Sequence, residues 1–174
     1  MATDTGQVGS GDAGDASGVG GAGDPHDLQR FVAAQAPVYS QVRAELAAGR
    51  KRSHWMWFVF PQMRGLGQSA MAHRYGIASR VEAVGYLDHA LLGARLVECT
   101  NLMLAVPEGA TANAILGSPD DLKFRSSMTL FAAVAGDSVR FAGVASARLP
   151  FAVALDRFFD GRPDAATLRL LAGR

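Results

Sequence analysis

The chain has 174 residues, 49% of them apolar, and its 17 bases and 16 acids leave a formal charge of +1. That length suits one domain with a core of its own, able to bury about two-thirds of its unfolded surface. The one cysteine, Cys99, excludes a disulfide framework and a multi-cysteine zinc site, and no apolar run approaches the roughly 20 residues that cross a bilayer.

Residues 1–25 stand apart, with eight glycines, four aspartates, no base and no aromatic ring. They read as a disordered acidic leader. A basic start and an apolar stretch, the marks of a secretory signal, are missing. With no targeting segment and a free thiol, the expected location is cytoplasmic. Residues 26–174 read as a single helical domain, holding 12 of the acids against all 17 bases, a formal charge of about +5. Those bases are dispersed from Arg30 to Arg174, short of the continuous stripe that nucleic-acid binding needs. Neither nucleic acid nor a membrane is an expected partner.

Helix signals dominate from residue 26 on. Asp27 is placed to cap a short helix carrying Leu28, Phe31 and Val32. Pro37 fits the first turn of a second, over 38–48, with Gly49 as its stop. Ser79 and Glu82 form a capping box ahead of Val81, Val84 and Leu87. A longer helix over 89–105 carries Leu92, Leu96 and Met103 at helical spacing. Thr111 caps a short helix ending at Gly117. Ser118-Pro119-Asp120-Asp121 combines a cap, a proline and two acids at the positive end of a helix dipole. The helix it opens runs to about Ala135, with Phe124, Met128 and Phe131 on one stripe. Two more helices cover 150–160 and 164–171, the last packing Leu168 and Leu171 inward. The one strand signal is Trp55 to Phe60. The fold class is all-α: a compact orthogonal array of about seven to eight helices with an aromatic-rich insertion.

That insertion, Arg50 to Tyr75, reads RKRSHWMWFVFPQMRGLGQSAMAHRY. Its rings bury large areas and form either core or a pocket wall, with Lys51, His54 and Gln62 as polar contacts. Gly65-Leu66-Gly67-Gln68-Ser69-Ala70 matches the dinucleotide pattern G-x-G-x-x-A, but without the βαβ unit such a site requires. The turn, opening a helix near Ser69, is left as an ordinary glycine turn or a display of backbone N–H groups to an anion. On the long helix, Lys123 shares a face with Ser127 and lies one turn before Ser126. A lysine there either activates a serine or holds a phosphate, or is simply solvated. Lys51 and Lys123 are the chain's two lysines against 15 arginines, and both fall in these segments.

No H-E-x-x-H, G-x-S-x-G or Walker loop occurs, and the spacing of His54, His73 and His89 fits no metal site. No metal and no cofactor is expected. Cys99 sits in an apolar helix and reads as a packed small side chain.

Three blocks together carry a likeness: GRKRSHWMWFVFPQMRGLGQSAMAHRYGI, EAVGYLDHALLGARL and LGSPDDLKFRSSMTLF. In that order, over about residues 27–172, the chain resembles the bacterial domain-of-unknown-function family 1810. The resemblance implies a compact, mainly helical single domain and no established activity. Calpastatin, a label some members bear, does not fit, since such inhibitors are long, disordered and repetitive. A looser likeness to helical proteins that handle ADP-ribose compounds is analogy and assigns no reaction. The blocks direct attention to Lys51, His54, Trp55, Trp57, Gln62, Ser69 and Tyr75, then His89 and Arg95, then Lys123, Ser126 and Ser127.

Two functions stand at this point. In the first, a small-ligand domain binds a nucleotide or phosphorylated compound, an enzymatic role being open. Trp55, Trp57 and Tyr75 would wall the site, and Lys51, Lys123, Arg95 and the Gly65–Gly67–Ser69 turn would meet the phosphate. His54 or His89 would be the acid or base, with Lys123 and Ser127 as further catalytic candidates and Gln62 and Ser126 as polar contacts. In the second, the rings anchor a protein interface or a homodimer.

Overall fold

The structure, a computed structural model, describes Met1 and residues 23–145 and 149–173. Most of the acidic leader, residues 2–22, therefore lies outside the described residues. Among those described are ten α-helices, two 3-10 turns and no strand; a single bridge joins Met63 to Ile77. The helices are α1 Gln29–Gln35, α2 Tyr39–Ala47, α3 Met56–Val59, α4 Ala70–Tyr75 and α5 Arg80–Asp88. They continue as α6 Ala90–Ala105, α7 Ala112–Leu116, α8 Asp120–Val134, α9 Pro150–Phe159 and α10 Ala165–Ala172. The fold is all-α, with more and shorter helices than the periodicity predicts. None is long and apolar enough to cross a membrane.

Two long helices organise the core. Along α6, Leu92, Leu96, Cys99 and Met103 are fully buried, as their spacing predicts, and α2, α5 and α9 pack around it. Along α8, Phe124, Met128 and Phe131 form the buried stripe, flanked by α5, α7, α9 and α10. The two meet where the Thr100 hydroxyl lies 3.8 Å from the Met128 sulfur. Gly93 lets the start of α6 press on the end of α5: an added Cβ there would stand 1.9 Å from the Leu87 carbonyl oxygen.

Several local expectations are corrected. Trp55–Phe60 is no strand: Met56–Val59 form a helical turn whose faces are covered by α1, α4, α6 and α8. A continuous apolar run signals burial but not period, so strand and buried helix look alike in sequence. Asp27 does not cap α1; it takes a left-handed turn at φ 49°, and the helix starts two residues later. Ser118 does not cap α8, because Pro119 itself stands at the position before the first turn. Ser79 accepts from the Glu82 N–H as a capping box requires, but Glu82 reaches the Ala78 N–H. On α10 Leu171 is buried, whereas Leu168 is 39% exposed and Thr167 takes the inward position.

The arginine-rich composition has a structural use. Helix C-termini leave carbonyls without partners, and a guanidinium fork serves two or three of them at once. Arg157 on α9 donates to the Leu104, Val106 and Pro107 carbonyls at the end of α6. Arg140 does the same for Leu87 at the end of α5, at 2.7 Å. Arg125 on α8 holds the Arg162 and Pro163 carbonyls ahead of α10.

Candidate functional site

The aromatic insertion is organised by a residue the sequence reading passed over. Glu45, on α2 and 8% exposed, accepts from the Arg52 N–H (2.9 Å), the Ser53 N–H (3.1 Å) and hydroxyl (2.7 Å), and the Trp55 indole (2.9 Å). Burial alone would raise its carboxyl; the donors from Arg52, Ser53 and Trp55 overcome that and hold it at about 2. This pins Trp55 inside the core, against Phe60, while Phe58 packs edge-on against Tyr75. Those rings are therefore unavailable as an outer wall or as interface anchors. Trp57 alone of the pair of tryptophans stays half-buried at the surface.

Lys51 and Lys123, 72 positions apart in sequence, meet on one carboxylate. Lys51 Nζ lies 2.7 Å from Asp120 Oδ2, and Lys123 Nζ lies 2.8 Å from Asp120 Oδ1. Burial would raise the Asp120 carboxyl, but the two ammoniums outweigh it and hold the group below the usual carboxylate range. Each lysine also lies over an indole, Lys51 above Trp55 at 5.2 Å and Lys123 above Trp57 at 4.5 Å. One carboxylate between two ammoniums leaves one positive charge, and Lys123 is the more exposed partner.

Beside Lys123 opens a groove of about 320 Å³, lined also by Gln62, Leu66, Gly67, Ser126 and Asp164. The Gln62 amide has no hydrogen bond to the described residues. Gly67 keeps the groove's edge thin: a Cβ there would stand 2.7 Å from that of Ala72. Ser126 bonds back to the Leu122 carbonyl and to Asp164, each at 3.1 Å. Asp164 caps α10 through the Thr167 N–H and hydroxyl, which against the opposing effect of burial keep its carboxyl low. It is a weak base for activating Ser126.

The structure thus brings Lys51, Trp57, Gln62, Gly67, Lys123 and Ser126 to one region. The remaining candidates lie elsewhere. His54 is exposed on the 50–55 segment, and His89 Nδ1 accepts from the Leu91 and Leu92 N–H groups as the cap of α6. Arg95 lies over the Tyr39 ring and donates to Gln35. Gly65 turns the chain at φ 106°, Ser69 caps α4 through the Ala72 N–H, and Tyr75 is core. Ser127 is fully buried on α8, its hydroxyl without a partner. Among the described residues no three His, Cys, Asp or Glu side chains gather where they could hold a metal ion.

A larger cavity, about 580 Å³, was missed by the sequence reading. It lies between the start of α1, the bridge at Met63, the end of α4 and the start of α5, and its wall carries Arg30, Arg64, Arg74, His26 and His73. Sequence offered little signal for it, since residues 64–74 carry only Arg64, His73 and Arg74 and nothing local brings them to Arg30.

The model of a family described as protein of unknown function, DUF1810, matches residues 25–171. The chain belongs to the DUF1810 family. Its fold is similar to the crystal structure of the conserved hypothetical protein Rv1873 from Mycobacterium tuberculosis. The two share 54% sequence identity and a TM-score of 0.77, over 86% of this chain and 99% of that one. No curated protein matches the chain. The family description brings no specific activity with it.

Proposed function

We propose that this DUF1810 protein is a small-ligand-binding domain for a phosphorylated compound, received at the Lys123 groove. The observation that supports it is the shared carboxylate: two ammoniums meet on Asp120, and Lys123, the more exposed of them, stands at the rim of an open groove whose wall also carries the Asp164 carboxylate. Lys123 meets the phosphoryl oxygens, Gln62 supplies a free amide, and the exposed part of Trp57 offers a flat apolar surface. The groups favour binding over catalysis, since Ser126 has only the weakly basic Asp164 beside it and neither His54 nor His89 is part of the groove. A cytoplasmic setting belongs to this reading and is supported by the single, free and buried Cys99.

The test is a thermal-shift panel on the full chain with sugar phosphates, nucleoside phosphates and inorganic phosphate. A ligand at 100 times its Kd adds about 2.7 kcal/mol, roughly 5–10 °C for a domain of this size. The gain should vanish in Lys123→Met and shrink in Gln62→Ala. A ligand that stabilises both variants as it does the wild type would overturn the assignment.

A further inference from the structure

The arginine-lined cavity does not belong to the Lys123 groove, although the Gln62–Gly67 loop contributes to both. Gln62, Leu66 and Gly67 line the groove, whereas Arg64 lines the cavity. The backbone of Arg64 is held firmly. Its N–H donates to the Ile77 carbonyl at 2.8 Å, and the Ile77 N–H donates to the Gln62 carbonyl at 2.9 Å. Gly76 allows this close approach, since a Cβ there would stand 2.9 Å from Arg64 Cα.

The charges of the lining do not cancel. Arg30 is committed: it donates to the Arg74, His26 and Asp27 carbonyls and to Glu82 Oε1. Glu82 is equally committed, its other oxygen accepting from the Ala78 N–H at 2.8 Å. That pair neutralises itself. Arg64 and Arg74 remain, with Asp27 as the remaining acid of the lining. Among the described residues neither guanidinium meets a carboxylate; Arg74 lies over the Tyr75 ring at 5.4 Å, and Arg64 Nε is buried with no hydrogen-bond partner at all. A buried guanidinium N–H without an acceptor is costly unless something supplies one. Two uncommitted guanidiniums, each with a planar fork of donors, are suited to phosphoryl oxygens. No ring wider than an imidazole lines the cavity, so its occupant is recognised by charge and hydrogen bonds rather than by stacking.

We infer that this cavity is a second anion site, in which Arg64 and Arg74 bind a small, soluble, multiply charged phosphoryl compound such as a diphosphate or a sugar phosphate. The volume of about 580 Å³ exceeds that of a single phosphate and falls in the range of small-molecule sites. The fixed backbone of Arg64 means that little ordering is required on binding.

The experiment is calorimetric titration of the full chain with inorganic pyrophosphate at low and at moderate salt. Variants are Arg64→Met, Arg74→Met, Arg64→Lys and Lys123→Met, each checked for an unchanged near-ultraviolet circular dichroism spectrum. The expected result is an arginine-dependent site whose affinity falls with salt, falls at least tenfold in Arg64→Met and in Arg74→Met, and is partly kept in Arg64→Lys. In Lys123→Met, which removes any binding at the groove, the arginine-dependent binding should persist, so failure of the groove assignment leaves this one standing. Absence of pyrophosphate binding to the wild type would overturn the inference. So would wild-type affinity in a folded Arg74→Met, whose exposed side chain can be removed without opening the core.

Discussion

Glu45 is buried beneath the 50–55 segment and collects donors from Arg52, Ser53 and Trp55. Its carboxyl sits at about 2 in the folded protein against an ordinary value of 4.5. A carboxyl lowered by folding stabilises the protein above its unfolded value, and that stability is lost as pH falls through the folded one. The window is therefore pH 4.5 down to about 2. The full shift corresponds to about 3 kcal/mol; Arg52 and Ser53 reach solvent, and screening there lowers this to roughly 2 kcal/mol. In Glu45→Gln the amide keeps one acceptor and turns its NH2 toward donors that need an oxygen. That should cost about 2–3 kcal/mol at pH 7, or roughly 4–10 °C in Tm. Urea unfolding followed by tryptophan fluorescence, run at pH 7 and pH 3, reads both effects. The gap between wild type and variant should narrow at pH 3, where Glu45 is protonated in the unfolded chain but still ionised in the folded one, so that folding must release a proton. A variant within about 0.5 kcal/mol of wild type at pH 7, or a gap unchanged between the two pH values, would show that these donors do not stabilise the Glu45 carboxylate.

Three further outcomes follow from the packing. Gly93→Ala forces a methyl against the Leu87 carbonyl oxygen and the Arg140 guanidinium; chemical denaturation should show a loss of about 3 kcal/mol or more. Arg157→Lys keeps the charge but cannot serve three carbonyls at the end of α6, so thermal unfolding should report a loss of about 1–2 kcal/mol; an unchanged Tm would mean that water replaces the guanidinium. Cys99 is fully buried and its thiol is pushed up to about 12 by that burial, so a thiol reagent at pH 8 should label it only as fast as the protein unfolds.

The helical class was legible because it depends on local repetition. Leu92, Leu96 and Met103, or Phe124, Met128 and Phe131, recur at a spacing that only a helix places on one face, and each proved buried. Caps were legible where one side chain bonds a backbone group three residues on, as Thr111 and Ser79 do. Ser118-Pro119 misled because Pro119, not the serine, stands immediately before α8 and carries no group that can cap it. The site was half legible. The two lysines stood out against 15 arginines, but the single carboxylate that joins them read as a contributor to a helix dipole.

The all-α class, the two long core helices and the family each rest on residues within a turn or a block of one another, and so are legible along the chain. Which polar groups are spent and which are free depends on contacts between distant segments. Glu82 and Arg30 are 52 positions apart and cancel; Arg64 and Arg74, ten apart, meet no carboxylate among the described residues. Charge pairing acts over a few ångströms of space and is indifferent to separation along the chain, so a list of residues cannot reveal it.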